Sequence, residues 1–403
     1  MNTDKILELD GLALSSVASL ARRRFMWDRL KATLGRPFVA LVGPRGTGKT
    51  VLLRQLRAES EDSLYLSADT VDRDENLFDL VQTFHESFGI SRFYIDEIHF
   101  IRDFPRYLKQ IYDFLPVHVW FTSSVALSLT ATAWDLARRV TRVSLWPFSF
   151  REYLWFTGKP LLPQLSLRHA LSKPIPPDYL RSAQFFDSYM QGGLYPFLLE
   201  PGADLSLFET ILQKVVTQDI PSRDPHVSVN DIETLHKVVR FIGRSRVDGV
   251  NYSTVARNVG ITKYKAEQYL SYLEDSFVVH RVMPRGSNVL KEPKVLLQLP
   301  YRLLFQEYEP ALGALREEFF ATAMRQHGVD FDYVKSTRGA KTPDYLLVWD
   351  EEDTVVEIGG VGKGRTQFKD VTYQRKVVLY HSVSGGKAPQ PGERVPLHCI
   401  GFA

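Results

Sequence analysis

Short apolar runs alternate with stretches of helical spacing over the first third of the chain, and that alternation is its strongest pattern. Leu14, Val17, Leu20 and Phe25 recur at helical intervals, so the first thirty-odd residues are predicted as helix. Phe38-Val39-Ala40-Leu41-Val42 is an unbroken apolar run with the length of a buried strand. A glycine-rich turn follows it, then helical spacing through Val51, Leu52, Leu53 and Leu56. Ser63 to Leu66, Phe93 to Ile95, Val117 to Phe121 and Val140 to Leu145 are further short strands. Helices are expected over Asn76 to Phe88 and Tyr107 to Phe114. Short buried strands separated by helices predict an α/β fold with a parallel sheet covered on both faces.

The pattern then changes. Lys159 to Asp178 contains Pro160, Pro163, Pro174, Pro176 and Pro177, too many for regular core structure, and is expected to be an insertion or linker. Helical spacing returns over Gln184 to Phe208 and Leu212 to Ile220. Val229 to Val282 reads as helix, turn, helix, turn, helix, strand. Within it Ser253 to Thr262 has the spacing of a helix-turn-helix, with Gly260 in the turn and Thr262 capping the next helix. The remainder is mixed α/β: a helix over Leu312 to Gln326, strands at Tyr345 to Val348 and Thr354 to Ile358, and a Gly- and Pro-rich loop from Ser384 to Pro396. The expected divisions are 1–157, a linker or insertion at 158–178, a helical unit at 179–225, a helix-turn-helix unit with a wing-like strand at 226–285, and a small α/β domain at 286–403.

Composition narrows the classes of function. The 403 residues are 44% hydrophobic and 24% charged, which excludes a disordered, collagenous or low-complexity chain. The net charge of +3 gives no global basic field, so a nucleic-acid partner requires a local patch. Cys399 is the single cysteine, which excludes an internal disulfide framework and a cysteine-built zinc site. Met1 to Asp10 is acidic and lacks the apolar core of a signal peptide. No apolar run approaches the ~18–20 residues of a membrane helix. A cytoplasmic protein with no membrane partner is expected.

The chemistry concentrates where the first strand meets its helix. Gly43-Pro44-Arg45-Gly46-Thr47-Gly48-Lys49-Thr50 matches G-x-x-x-x-G-K-[ST] with a strand before it and a helix after it. Glycines let the backbone wrap phosphates, and the N–H groups and dipole at a helix start attract them. Lys49 is placed to meet the β- and γ-phosphates of ATP, and the Thr50 hydroxyl to ligate Mg²⁺. Phe93-Tyr94-Ile95 ends in Asp96 and Glu97. Asp96 is placed to hold Mg²⁺ through water, and Glu97 to polarise the attacking water as general base. The fourth strand ends at Thr122-Ser123-Ser124, where Ser123 or Ser124 is placed to bond the γ-phosphate or the water; capping the next helix is the other reading of the same serines. Arg139, before the fifth strand, suits a guanidinium offered to a neighbouring subunit's triphosphate, or a helix-end arginine on the dipole. Arg22, Arg23 and Arg24 are a solvated helix face or a phosphate-contacting patch.

These motifs resemble AAA+-type ATPases, and more narrowly a bacterial and archaeal family in which that module precedes a winged helix and a restriction-endonuclease-like domain. The family's loop begins Gly-Pro-Arg and ends Gly-Lys-Thr, as at Gly43 to Thr50. Its acidic strand reads Asp-Glu-Ile, as at Asp96 to Ile98. Thr122-Ser123-Ser124 stands for its Thr-Gly-Ser, so Ser124 takes the serine place. Arg139 takes the arginine place, with Arg138 where the family has glycine. Pro147 to Glu152 matches Pro-x-Ser-Phe-x-Glu, Gly192 to Pro196 is a Gly-Gly-x-Pro stretched by one residue, and Asp219 matches an Asp-Ile that closes the lid. The resemblance implies an α/β AAA+ P-loop sheet with a helical lid, then a winged helix, then the nuclease-like domain. It also implies an oligomeric ATPase in which Arg139 acts in trans, with a homo-oligomer such as a hexamer as the expected assembly.

Nucleases of the restriction-endonuclease fold use a helix glutamate, a Pro-Asp and a Glu-x-Lys. Glu317, Pro343-Asp344 and Glu357-Ile358-Gly359 match in order, but glycine stands in the lysine's place and Lys363 follows it. This could be a second Mg²⁺ or Mn²⁺ site that cuts, a surface that binds nucleic acid without cutting, or a retained fold with spent chemistry. Lys263 and Lys265, with Arg281 and Arg285 near the wing, form a modest basic set suited to one DNA- or RNA-contacting helix, or to packing on a neighbouring module. Three functions follow: an Mg²⁺-dependent ATPase acting on or regulated by nucleic acid, a slow nucleotide-gated switch for a protein client, or an ATP-controlled metal-dependent nuclease.

Overall fold

A computed structural model describes residues 3–33, 37–124, 136, 138–172, 174–224, 226–286, 292–334, 342–349, 352–360, 362, 368, 373, 375–381 and 394–402. The chain divides into two compact units. The first is Met1–Leu145 with Gln218–Pro225, and the second is Trp146–Thr217 with His226–Ala403.

The first unit is built on five strands: β1 (Phe38–Val42), β2 (Ser63–Ser67), β3 (Arg92–Asp96), β4 (His118–Ser123) and β5 (Val140–Ser144). They pair in the order β2-β3-β4-β1-β5, every pair parallel. All five residues of β1 are buried, as expected of a central strand covered on both faces. Helix α3 (Lys49–Arg57) begins seven residues after β1 ends and lays Leu52, Leu53 and Leu56 against Val39, Leu41, Tyr65, Tyr94 and Trp120. Each such side chain removed from water contributes about 1.5–3 kcal/mol before entropic costs. Helix α4 (Leu77–Phe88) is stopped at both ends by local chemistry. The Asn76 side chain accepts from the Phe78 and Asp79 amides, and Gly89 closes it at φ 69°. Helix α5 (Phe104–Phe114) precedes β4.

The expected single N-terminal helix is instead two: α1 (Thr3–Val17) and α2 (Met26–Lys31), separated by a non-helical stretch. The apolar spacing runs on through Leu20, but Leu20 is 44% exposed, so nothing there holds a helix together. The arginine triplet therefore lies in a connection rather than on a helix face. Arg23 pairs with Glu59, whereas Arg24 is buried and donates to the Thr47 carbonyl at 2.5 Å.

Gly43 closes β1 at a point of extreme crowding. A Cβ there would lie 2.1 Å from the Leu145 carbonyl oxygen, because the Leu145 amide donates to the Val42 carbonyl at 2.7 Å.

In the second unit the Ser149–Glu152 capping box starts a helix at Phe150–Phe156. The proline-rich stretch is folded rather than free: Leu165, Leu167 and Ala170 are buried, and the Leu165 amide donates to the Phe402 carbonyl. The helical spacing beyond it resolves into short turns, including Ser182–Phe185, Pro196–Leu199 and a helix at Leu207–Lys214. Three helices follow at Val229–Arg244, Tyr252–Val259 and Lys263–Asp275, then a two-stranded antiparallel sheet of Val279–Val282 and Lys294–Leu297. Gly260 ends the middle helix at φ 79° and Thr262 caps the next, as the sequence predicts. A second five-stranded sheet is mixed. Its strands Phe331–Tyr333, Tyr345–Trp349 and Glu352–Gly360 pair antiparallel, while Glu352–Gly360, Arg375–His381 and Arg394–Pro396 pair parallel. The helix Tyr308–His327 buries Phe319, Phe320 and Met324. Its Glu318 forms a fully buried ion pair with Arg302, which also donates to the carbonyls of Ile242, Gly243 and Ser245. Among the described residues no helix is long and apolar enough to cross a membrane.

Two glycines of the first unit make a paired test. Gly43→Ala should lower its stability by about 2–3 kcal/mol through the clash with the Leu145 carbonyl. Gly11→Ala, inside α1 with nothing within 4 Å of the new methyl, should raise it by about 0.5–1 kcal/mol. Urea unfolding of both variants, followed by Trp27 and Trp120 fluorescence, checks the opposite signs.

Candidate active site

Parallel strands place all their C-terminal ends at one edge of a sheet, and helix N-termini gather there. The loop between β1 and α3 turns by way of Gly46 at φ 83° and Gly48 at φ 85°, a left-handed backbone that glycine adopts without a Cβ penalty. Thr47 Oγ1 donates back to the Pro44 carbonyl at 2.9 Å, and the buried Arg24 braces the Thr47 carbonyl from outside. Lys49 is 4% exposed. Its ammonium donates to the Gly43 and Pro44 carbonyls at 2.8 and 2.9 Å, at the centre of the loop. Burial pulls its pKa below the usual lysine value, and Glu97, Asp96 and Asp219 oppose that shift. The sequence assigns this loop to phosphate, and a buried ammonium beside the first amides of a nine-residue helix has the matching charge.

Asp96 is the last residue of β3 and 3% exposed. One carboxylate oxygen accepts from Tyr65 Oη at 2.9 Å and the other from Thr122 Oγ1, and the Thr50 side chain is also hydrogen-bonded to it. Burial, then the charge of Glu97, pushes its pKa up, and the three hydroxyls work against that. Glu97 leaves the strand with φ 50° and ψ 47°, a left-handed conformation that costs a non-glycine residue about 1 kcal/mol. The Glu97 amide donates to Thr122 Oγ1 at 2.8 Å, which holds this turn in place. The turn swings the Glu97 carboxylate away from Asp96. It accepts from the Ser124 amide at 3.1 Å, lies 3.2 Å from His99 Nδ1, and lies 3.9 Å from the Arg45 guanidinium. Burial raises its pKa, but Lys49, His99 and Arg45 together carry the balance below the ordinary value, so it is ionised near neutrality.

Four participants were not legible as such. Asp219 is fully buried and receives Arg45 in a two-bond pair, both at 2.6 Å, across 174 residues of sequence. It also accepts from Ser124 Oγ at 3.3 Å. His99 stands between Glu97 and Asp219, its Nε2 3.7 Å from the latter and its Nδ1 3.2 Å from Ser123 Oγ. Thr122 and Tyr65 complete the set around Asp96. Asp-Ile was the one local signal for Asp219, and nothing in it points to Arg45. The helix that Ser123 or Ser124 was expected to cap lies outside the described residues; the two hydroxyls instead face His99 and Asp219.

Arg139 is placed elsewhere. Its carbonyl accepts from Phe38, so it sits at the start of β1, at the opposite end of the strand from the loop. Its guanidinium makes a two-bond pair with Asp113, 2.9 Å each, and lies over the Tyr112 ring.

The C-terminal carboxylates do share a neighbourhood, since Tyr345 and Val356 face each other in register. Glu317 accepts from Lys294 Nζ and from Tyr345 Oη, both at 2.6 Å. Asp344 accepts from the Ile358 amide at 2.7 Å, and burial followed by the charges of Glu317 and Glu357 pushes its acid up to about 7. Lys363 lies outside the described residues, and the cation at this cluster is Lys294, which the sequence did not single out. Among the described residues no three His, Cys, Asp or Glu side chains are arranged to hold a metal ion. The Lys294 ammonium already occupies Glu317, so the three carboxylates are not all open to a divalent cation in this arrangement. On the helix Lys263–Asp275, Lys263 pairs with Glu292 and Lys265 with Asp231, while Arg281 pairs with Glu274. The basic set is thus already matched by acids.

Residues 35–154 match the model of an AAA domain, so the chain carries an AAA-type P-loop domain. Residues 183–297 match a domain of unknown function. An uncharacterized protein of Methanocaldococcus jannaschii is 26% identical over 390 residues, covering 85% of this chain and 80% of that one. Among solved structures, a Walker-type ATPase of Pyrococcus abyssi aligns with 70% of this chain and 95% of its own at 15% identity and a TM-score of 0.41. The Orc1 protein of Aeropyrum pernix, solved in complex with DNA, aligns with 77% of this chain and 93% of its own at 14% identity and a TM-score of 0.30.

Asp344 generates a pH test whose sign is fixed. Its folded pKa lies above the unfolded value of 3.8, so between those values the folded state holds a proton that the unfolded state has lost. Its contribution to stability is complete below the unfolded pKa and fades as pH rises toward about 7. Against Asp344→Asn, which does not ionise, the parent should lose on the order of 4 kcal/mol between about pH 4 and pH 8. Thermal melts of both proteins across that range check it, and parallel curves would rule out the buried acid.

Proposed function

We propose that this protein is a Mg²⁺-dependent ATPase whose reaction site is the loop end of the first sheet, working in a homo-oligomer. The observation that carries this reading is the convergence of Lys49, Thr50, Asp96 and Glu97 at one edge, with separate environments for the two acids. Thr50 and Asp96, already hydrogen-bonded to each other, are the pair that would hold Mg²⁺, and the ion would offset the charge that develops on the phosphate in the reaction. Lys49 is the point charge for the β- and γ-phosphates, and the amides that open α3 orient them. Glu97, ionised and turned out of the strand, accepts a proton from water as the water oxygen bonds to the γ-phosphorus. The bond from that phosphorus to the β–γ bridging oxygen breaks, and ADP departs with the electron pair.

The place of Arg139 supports action across a subunit boundary. A five-residue strand spans about 15 Å, and Arg139 is at the far end of it from its own loop. A second copy of the chain would offer it a triphosphate once Asp113 lets go. The three helices and the strand Val279–Val282, whose antiparallel partner Lys294–Leu297 lies beyond that division, support a winged-helix reading for 226–285. The mixed sheet with its crossing helix supports a nuclease-like fold for 286–403, read as a binding or scaffolding surface because Lys294 already neutralises Glu317. Regulation by DNA or RNA follows from the winged-helix reading. One observation favours the second reading, a nucleotide-gated switch for a protein client: Lys263, Lys265 and Arg281 are matched by acids, while Tyr264 on the same helix is 76% exposed.

Lys49→Ala should abolish ATP binding, weakening it at least about 100-fold. Glu97→Gln should bind ATP with near-parent affinity yet release phosphate about 100-fold or more slowly. Binding by fluorescent nucleotide and turnover by phosphate release check both; parent-like turnover in Glu97→Gln would remove it as the base. Stimulation of turnover by DNA or RNA that weakens with added salt supports a nucleic-acid regulator. Indifference to both favours the protein client.

A further inference from the structure

The Arg45 guanidinium stands between two carboxylates and is committed to one of them. Asp219 takes it with two bonds of 2.6 Å, while Glu97 is 3.9 Å away. Asp219 has no exposure to water, and its acid is held below the ordinary range by the hydrogen bonds and charges of Arg45 and His99, which outweigh the burial that opposes them. A buried carboxylate with a two-bond guanidinium partner is strongly directional and costly to break from one side. Resting on the ATPase reading, we propose that Asp219 is a positioning residue for hydrolysis. It holds Arg45 off Glu97 so that the base keeps its reactivity, and it withholds the same cation from the triphosphate.

The consequence follows from electrostatics. Were Asp219 neutral, Arg45 would still have the Glu97 carboxylate 3.9 Å away, and a carboxylate oxygen that receives a guanidinium is occupied and no longer open to water. At the same time one uncompensated positive charge would be left in the phosphate loop, and an anionic ligand would bind more tightly. His99 would lose the second carboxylate beside it, now 3.7 Å from Nε2, while Nδ1 remains near Glu97 and Ser123. Asp219 thus influences affinity and turnover in the same downward numerical direction, a lower Kd with a lower kcat. A structural lesion has a different signature, since loosening the loop raises Kd as kcat falls. The arrangement also places a condition on the chain. Residues 218–225 pack with the ATPase unit although the residues on either side belong to the other unit, so the reactivity of Glu97 depends on where that eight-residue segment lies.

The test uses the 403-residue chain and three proteins: the parent, Asp219→Asn, and the double variant Arg45→Gln with Asp219→Asn. Affinity is read with a fluorescent, non-hydrolysed ATP analogue and Mg²⁺, and turnover by phosphate release. Asp219→Asn should lower Kd about threefold or more and lower kcat about tenfold. The double variant, which no longer has a guanidinium to move onto Glu97, should turn over about fivefold faster than Asp219→Asn alone. Circular dichroism of all three proteins separates the two kinds of rescue: a gain in turnover at unchanged fold supports the role of Asp219, and a gain that only tracks recovered folding overturns it. A single variant with kcat and Kd within about twofold of an active parent overturns the role of Asp219 alone, as does a double variant no faster than the single. A parent that neither binds nor hydrolyses ATP overturns this role together with the ATPase reading.

Discussion

The parallel pairing of β1 with β4, and of β4 with β3, sets three strand ends side by side, and the chemistry of the site follows from that placement. The loop leaves from β1, the two acids from β3, and Thr122 with its serines from β4. The Thr122 hydroxyl then divides the labour of the acids. It donates to Asp96 and accepts from the Glu97 amide, so one carboxylate stays in the strand plane with Tyr65 and Thr50 while the next turns out toward Ser124 and His99. Without a partner for that amide, the left-handed turn at Glu97 would be an unsupported strain in the middle of a buried edge.

Opposing charges are treated differently at the two ends of the molecule's chemistry. At the loop edge Arg45, Lys49 and His99 face Asp96, Glu97 and Asp219, and the balance holds the acids of half-buried Glu97 and fully buried Asp219 below the ordinary range. At the C-terminal cluster one ammonium, Lys294, is bonded to Glu317, and Asp344 is pushed up to about 7. The first arrangement keeps carboxylates charged in a low-dielectric setting, where electrostatic interactions are strong. The second quenches them. The same logic applies to the helix Lys263–Asp275, whose lysines are spent on neighbouring acids.

Much of the first unit was legible because its signals are local. Phe38 to Val42 is apolar at every position, which only a central parallel strand rewards, and the eight-residue loop carries its own backbone requirements in Gly46 and Gly48. Asn76 and Gly89 bracket α4 by capping chemistry that acts within four residues. The N-terminal helix was misread for a corresponding reason. Spacing through Leu20 and Phe25 looks helical, but whether an apolar face is covered is settled by what packs on it, and Leu20 faces solvent while Arg24 turns inward to the loop.

The chain by itself determined the individual strands, the phosphate loop, the acidic strand end and the two helices that flank Gly260, because each depends on interactions within a few residues. Tertiary structure alone decided that Arg45 meets Asp219, that Lys294 meets Glu317, and that Arg139 lies at the far end of β1 from its own loop. Those pairings join residues from 23 to 174 positions apart, and a buried charge accepts whichever opposite group the packing delivers. Residue type states the need for a partner, and only the fold supplies one.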